Sequence, residues 1–297
     1  MSETESTISV ASESTTSQRP PDVTILPRKG WQPVDLGELW RFRHLLWLFS
    51  LRDVTVRYKQ TVLGGLWALI QPLLQVVVFT LFFGKLMGLE ERLGEYEGRA
   101  VPYAVFVLTG QIVWGYFASL VNASANSMLG NANILRKIYL PRLIIPLSAG
   151  GAPTVDTLIG FGLLLIVMLY YAQPFTLLLI LAPLALLMTM IVAQAVGIML
   201  SALIVKYRDF RFVVPFMIQL WFYVTPVIYP KHIVPEKYQM LLYLNPMAGV
   251  VDVFRALVLG GTLNLNELMV SVGITVVMLV IAVFYFARTE RRFADIS

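Results

Sequence analysis

The chain has 297 residues, 57% hydrophobic and only 14% charged, with a mean hydropathy of +0.72, which sets it apart from an ordinary water-soluble domain. It has no cysteine, which excludes disulfides, thiolate nucleophiles and Cys-ligated metals, and its two histidines, His44 and His232, fall on opposite sides of the predicted bilayer, which argues against a His-based metal or proton-transfer centre. The net charge of +5 does not signal nucleic acid, because the basic residues lie scattered between hydrophobic runs rather than on one soluble face.

Residues 1–30 are rich in Ser, Thr and Glu, carry Pro20 and Pro21, and lack a central apolar stretch, so they read as a disordered tail and not as a signal peptide. Residues 31–60 read as an amphipathic helix in the cytoplasmic interface. Phe42, Leu45, Leu46 and Phe49 recur at helical spacing, Arg41, His44, Arg52, Thr55 and Lys59 favour another face, and Trp40 and Trp47 are expected at headgroup depth. A plain juxtamembrane anchor would carry the same pattern.

Residues 61–297 read as a transmembrane domain. About 20 mainly apolar residues are needed to cross the hydrocarbon core, and six stretches qualify: Leu63 to Phe83, Val101 to Leu120, Leu143 to Tyr170, Phe175 to Val205, Phe212 to Tyr229 and Leu268 to Phe286. Spans 3 and 4 are separated only by Tyr171, Ala172, Gln173 and Pro174, which predicts a tight helical hairpin. Between spans 2 and 3, an Asn-rich start and Pro141 bound one or two helical turns around Ile134 to Leu140. These turns are a handle for a soluble partner, or a place where Arg136, Lys137 and Arg142 fix topology. Between spans 5 and 6, two apolar pieces broken at Asn245 and Pro246 are each too short to cross, which predicts a re-entrant pair. Asp252 and Arg255, at i and i+3, are placed to pair locally. An outer gate and simple packing both fit this hairpin. The expected fold is thus all-α and integral to the membrane: six transmembrane helices, an N-terminal amphipathic interface helix and a re-entrant outer hairpin between spans 5 and 6.

Orientation follows from positive charge. Seventeen lysines and arginines fall on the side of the two termini and six on the other, so both termini are expected in the cytoplasm.

Polar residues within the bilayer cost free energy unless they face protein, water or cargo. Trp67, Gln71, Gln75, Phe79 and Phe82 form one stripe on span 1; Gln111, Gly115, Ala118 and Asn122, beside Trp114 and Phe117, form another on span 2; Phe216, Gln219 and Tyr223 share a face of span 5. Amides and aromatic faces together suit sugars, whose hydroxyls take hydrogen bonds and whose C–H faces stack on rings. Interhelical glue and interfacial aromatics account for any one of them singly. Asp156, the one acid deep in a predicted span, is protonated, is held by the Thr154 and Thr157 hydroxyls, or lines the same path. No G-x-x-x-x-G-K-[ST] occurs, since Gly84-Lys85 is followed by Leu86 and has Phe79 where the first glycine should stand. Nor is there a catalytic constellation, so no residue is assigned to catalysis or to a metal.

The segments RDVTVRYKQTVLGGLWALIQPLLQ, GNANILRKIYLPRLIIPLS, KYRDFRFVVPFMIQLWFYVTPVIYP and LNPMAGVVDVFRALVLG occur in that order. Together they resemble the permease subunit of bacterial type-2 ABC exporters of polysaccharide, the exporters of O-antigen, capsule and teichoic acid, over about Leu36 to Arg292. The resemblance implies a homodimer in the bacterial inner membrane, served by two copies of a separate ATPase subunit that holds the ATP and Mg. The cargo would be a lipid-linked glycan; membrane lipids are the other partner and nucleic acid is not one. It implies that Asn131, Ile134, Leu135, Arg136, Lys137, Ile138 and Tyr139 form the coupling helix against the ATPase. It also implies that residues 231–262, with Tyr243, Asn245, Pro246, Asp252 and Arg255, form the outer gate, and that aromatics on spans 1, 2 and 5 line the channel. A type-2 permease for another lipid or a drug is the nearest alternative. A membrane-embedded transferase would want paired carboxylates or a catalytic histidine near the interface.

Overall fold

The computed structural model describes residues 36–59, 64–96, 99–135, 137 and 140–293, all within the unit that begins at Pro33. The tail expected at 1–30, and Arg136, Ile138 and Tyr139, lie outside the described residues. Among the described residues, regular structure is helical apart from a two-stranded antiparallel ribbon, β1 (Glu95–Tyr96) and β2 (Arg99–Ala100).

Two helices precede the first span, α1 (Leu36–Arg41) and α2 (Arg43–Lys59). Then come α3 (Trp67–Phe79), continued by a π-helical turn over Thr80–Leu86, α4 (Tyr103–Gly130), α5 (Ala132–Leu135), α6 (Ile144–Ser148) and α7 (Gly151–Tyr170). A 3-10 turn, Leu177–Leu181, leads into α8 (Ala182–Lys206). After it lie α9 (Phe210–Val224), α10 (Glu236–Tyr243), α11 (Pro246–Leu259) and α12 (Leu265–Phe293).

Five helical stretches are long and apolar enough to cross a membrane: Trp67–Leu86, Tyr103–Gly130, Ile144–Tyr170, Leu177–Lys206 and Leu265–Glu290. They coincide with expected spans 1 to 4 and 6. The fifth expected span differs. α9 has 15 residues, about 22 Å at 1.5 Å per residue. The helix stops because Thr225 takes extended backbone ahead of Pro226, the conformation a proline imposes on its predecessor. Helices α10 and α11 meet at 92° and reach membrane length only together. Asn245 makes that corner: its side chain accepts from the Met247 amide at 3.1 Å while Pro246 opens α11 without needing a donor.

Helix α4 is the centre of the bundle. In its most apolar stretch 83% of residues are buried, against 11% in α3. An apolar surface all round suits lipid as well as protein, so it is packing against α3, α7, α8 and α11 that places α4 inside. α4 crosses α8 where Gly197 faces Ser124, so closely that a β-carbon on Gly197 would lie 2.5 Å from that of Ser124. Small residues set such crossings in lipid, where packing rather than water release drives association. A second apolar cluster, below the α5 end of α4, joins Phe49 to Met128, Leu143, Ile144, Ala202 and Phe286, with Phe42, Leu45 and Leu46 packed on it. The apolar stripe of α2 therefore seats against the bundle, and Trp40 and Trp47 are left exposed. The Ser50 hydroxyl donates to the Ser148 carbonyl at 2.9 Å, fixing α2 where α6 passes into α7.

Candidate transport cavity and its two ends

A cavity of about 1080 Å³ lies between α3, α4, α7 and the last turn of α2. Seven of the expected path residues line it: Trp67, Gln71 and Gln75 from α3, Gln111, Trp114 and Asn122 from α4, and Asp156 from α7. Gln111 Nε2 donates to Gln75 Oε1 at 3.3 Å across the α3–α4 crossing, and the Tyr116 hydroxyl lies 2.8 Å from Thr154 Oγ1. Gly115 leaves the wall open, since a β-carbon there would meet nothing within 4 Å.

The other aromatic and amide candidates sit elsewhere. Phe117 is fully buried, its ring centroid 5.1 Å from Trp114 and 5.0 Å from Trp221. Phe79 stacks on Phe222 at 6.0 Å, and Phe222 meets Trp114 edge-on at 5.7 Å. These rings tie α9 to α3 and α4. Phe82, Phe216, Gln219 and Tyr223 are exposed on the outside of this chain.

Asp156 has partners that lie far away in the sequence. Its carboxylate takes Arg57 Nη2 at 2.6 Å on one oxygen and the Tyr58 hydroxyl at 2.5 Å on the other. The Thr154 and Thr157 hydroxyls do not hold it: they donate to the Gly150 and Pro153 carbonyls, one turn back along their own helix. Burial, followed by the hydrogen bond to Asp156, pushes the Tyr58 phenol up to about 12, so it stays a donor. Five residues before Arg57 on α2, Arg52 Nη2 donates to Asn131 Oδ1 at 2.8 Å, and Asn131 Nδ2 in turn donates to the Ser127 carbonyl. One short helix thus touches both the cavity mouth and the start of the α5 segment. In that segment Ile134 and Leu135 pack on the second cluster, while Asn133 and Lys137 are exposed.

At the opposite end, Asn245 also accepts from Trp221 Nε1 at 3.0 Å and donates to Thr225 Oγ1 at 2.9 Å, pinning the α10–α11 corner to the end of α9. Arg255 and Asp252 do not form the local pair expected from their spacing. Arg255 is buried with its guanidinium 3.7 Å from the Phe106 ring centroid, and it donates to the Pro226 carbonyl at 2.6 Å and to the Val227 carbonyl. Carbonyls just beyond a helix end lack the next turn's donors and attract a cation. Asp252 turns to Lys231, 3.5 Å away, which also pairs with Glu267 and lies over the Tyr243 ring at 5.1 Å. Burial works to lower the Lys231 pKa, but Glu267 and Asp252 outweigh it and hold it above the usual lysine value. Sequence spacing gave no signal for Arg57, Tyr58 or Lys231, because each partner belongs to another element.

Membrane-length helices around one amide- and aromatic-lined cleft, with its acid neutralised by an arginine, define a multi-pass membrane permease. Residues 44–259 match the ABC-2 type transporter family, and the chain belongs to that family. It is 30% identical to the O-antigen export system permease protein RfbA of Klebsiella pneumoniae, over 85% of this chain and 94% of the relative. It is 27% identical to the protein of the same name in Myxococcus xanthus, over 87% and 97% of the two chains. It is 25% identical to the polysialic acid transport protein KpsM of Escherichia coli, over 72% and 81%.

Proposed function

We propose that the chain is the membrane-spanning subunit of an exporter that moves a lipid-linked polysaccharide of O-antigen type across the bacterial inner membrane, driven by ATP hydrolysis in a separate subunit. The cavity lining carries this reading. Trp67 offers an exposed ring face to sugars, with Trp114 and Tyr116 in the wall behind it, Gln71, Gln75, Gln111 and Asn122 line the space with amides for hydroxyls, and Arg57 already answers the one acid. The relatives' names, O-antigen export and polysialic acid transport, point to the same class of cargo.

In this reading the chain crosses six times, α9 and the segment to Tyr229 making the fifth crossing, and α10–α11 is re-entrant from the outer side. Both termini face the cytoplasm, as the distribution of positive charge favours. The α2 helix lies at the cytoplasmic interface, beside the segment from Asn131 to Tyr139 on which the ATPase docks. That partner, in two copies, supplies ATP and Mg, for which this chain has no P-loop. A second copy of the chain completes the path: α2, α3, α4 and α7 line the cavity, while Phe216, Gln219 and Tyr223 on α9 lie outside it and are exposed, where an opposing chain would bring them to face the cleft. The test is removal of the chain from its own cell. Lipid-linked glycan should accumulate on the inner face, and the purified chain should bring down a P-loop ATPase. Unchanged glycan export in the deleted strain refutes the reading.

A further inference from the structure

Beyond the α10–α11 corner lies a second cavity, of about 560 Å³, lined by Lys231, His232, Gln239, Asp252, Asn264 and Glu267 among others. Arg255 Nε is buried there without a hydrogen-bond partner, but His232, Gln239 and Asn264 are engaged by the chain itself. His232 Nε2 lies 2.7 Å from the Arg92 carbonyl, Gln239 donates to the Val234 carbonyl at 3.3 Å, and Asn264 Nδ2 donates to Glu267 at 2.7 Å. Groups satisfied in this way do not solicit a ligand, and the space beside them is room for movement.

Lys231 is the one described side chain here that reaches all three surrounding helices. It stands in the 3-10 turn Lys231–Ile233 that leads into α10, and its ammonium lies over Tyr243 of α10 and pairs with Asp252 of α11 and Glu267 of α12. Glu267 is a fixed anchor. It sits in the first turn of a 29-residue helix, where the helix dipole favours a carboxylate, and Asn264 holds it. The bond to Asp252 is the part that can open: a quarter of the lysine side chain and a third of Asp252's are exposed, so water can replace it at small cost, whereas Glu267 is only a tenth exposed and keeps the lysine on α12. From this end toward the 1080 Å³ cavity runs a buried plug: Arg255, in the lining of the second cavity, lies over Phe106 and donates to the Val227 carbonyl, and its neighbour Phe254 meets Phe161, which adjoins Gly160 in the larger cavity's wall. Phe106, Val227, Phe254 and Arg255 are each 2% exposed or less. Two of these four residues, Phe254 and Arg255, stand on α11, which Lys231 braces, and Arg255 holds the other two, Phe106 of α4 and Val227, through those same contacts.

We propose that Lys231 is the latch of the outer closure: by tying the bent α10–α11 pair to α12 it keeps the plug in place and the transport cavity shut from outside. This rests on the permease reading and its orientation. Because the chain has no cysteine, a single Gly115→Cys substitution, at a position where nothing lies within 4 Å, places the only thiol in the cavity. The chain is expressed with its ATPase, and a membrane-impermeant maleimide is applied first to intact spheroplasts and then to inverted vesicles.

From outside, labelling should be slow, and Lys231→Met should speed it about two- to fivefold, the shift expected when a partly exposed ion pair biases an open–closed equilibrium. Lys231→Arg should keep the slow rate. The Asp252→Asn, Glu267→Gln pair should reproduce the rise, which keeps the latch testable even if Lys231→Met accumulates poorly. Labelling from inside should not change. Slow outside labelling in both Lys231→Met and the double variant overturns the latch, and so does an equal rise from both sides, which means general loosening. Glycan export is scored separately: normal export without the chain refutes the permease reading and leaves the labelling result standing.

Discussion

Gly110→Ala tests how tightly α4, the end of α9 and α11 are locked together. A methyl at this position would lie 2.6 Å from Arg255 Nη2, 2.7 Å from the Val227 carbonyl oxygen and 3.2 Å from Val227 Cγ1. The carbonyl is backbone and cannot step aside alone. The guanidinium is the end of a long side chain, but it is buried and bonded to the Pro226 and Val227 carbonyls. Forcing the methyl in should cost about 1–3 kcal/mol of overpacking. Weakening a charge-assisted hydrogen bond adds about 1.5–3 kcal/mol, and the better helix propensity of alanine returns about 1 kcal/mol. The expected net loss is about 1.5–5 kcal/mol. Gly115→Ala, in the same helix and with nothing within 4 Å, should stay within about 1 kcal/mol of the parent on propensity alone. The two are compared by unfolding the purified protein in mixed micelles with rising SDS. A Gly110→Ala chain as stable as Gly115→Ala would refute the close packing around Arg255.

At Gly151, a methyl would lie 2.7 Å from the Ser50 carbonyl oxygen, so Gly151→Ala should lift α2 at a cost of about 1–3 kcal/mol, with faster hydrogen exchange confined to residues 43–59; a uniform rise would contradict this. Asp156→Asn removes the ion pair to the half-exposed Arg57, so it should cost about 1 kcal/mol or less of stability while export falls; a parallel loss of both would mean that Asp156 is only a strut. Trp67→Ala, Gln75→Ala and Trp114→Ala should each lower surface glycan at normal protein level, whereas Phe117→Ala, in the core, should cost about 3–5 kcal/mol and lower the protein level itself; normal export in all three wall variants would leave packing as their only role. Exchanging residues 134–139 for a Gly/Ser stretch should leave ATP hydrolysis running without export, and undiminished export would sink the docking assignment.

Most of the fold was legible because a long apolar helix states its own length. The five membrane-length stretches need nothing but composition to be seen, and the α10–α11 corner is announced by an N-cap asparagine followed by proline. Within the fifth expected span the count of apolar residues does not show where the helix stops: α9 ends at Val224 because Thr225, ahead of Pro226, takes extended backbone, and the stretch on to Tyr229 is not helical. Helix α2 reads in the sequence as an amphipathic helix at the cytoplasmic interface. Its periodicity gives the stripe, but the sequence does not say whether an apolar stripe meets lipid or protein, and here Phe49 is buried in one cluster with residues of α4, α6, α8 and α12.

The site was legible only as far as periodicity reaches. Rows at i, i+4 drift by about 40° per step on a helix of 3.6 residues per turn. Trp67, Gln71 and Gln75 therefore still share the cavity wall, whereas Phe79, a further step on, has turned about 120° from Trp67 and faces Phe222. On α4, Phe117 is displaced by about the same angle from Gln111 and ends in the core. Spacing fixes a residue's direction on its own helix and leaves the neighbour in that direction unspecified. The Asp252 and Arg255 pair shows the consequence: both have the geometry for each other, yet two carbonyls at the end of α9 are better placed for the guanidinium and Lys231 for the acid. Tyr58 and Asp156 are separated by 98 positions and meet because Ser50 and Gly151 seat α2 on α7. Arg57 and Tyr58, in the lining of the larger cavity, and Lys231, in that of the smaller, bond between elements, and so carry no periodic mark in the sequence.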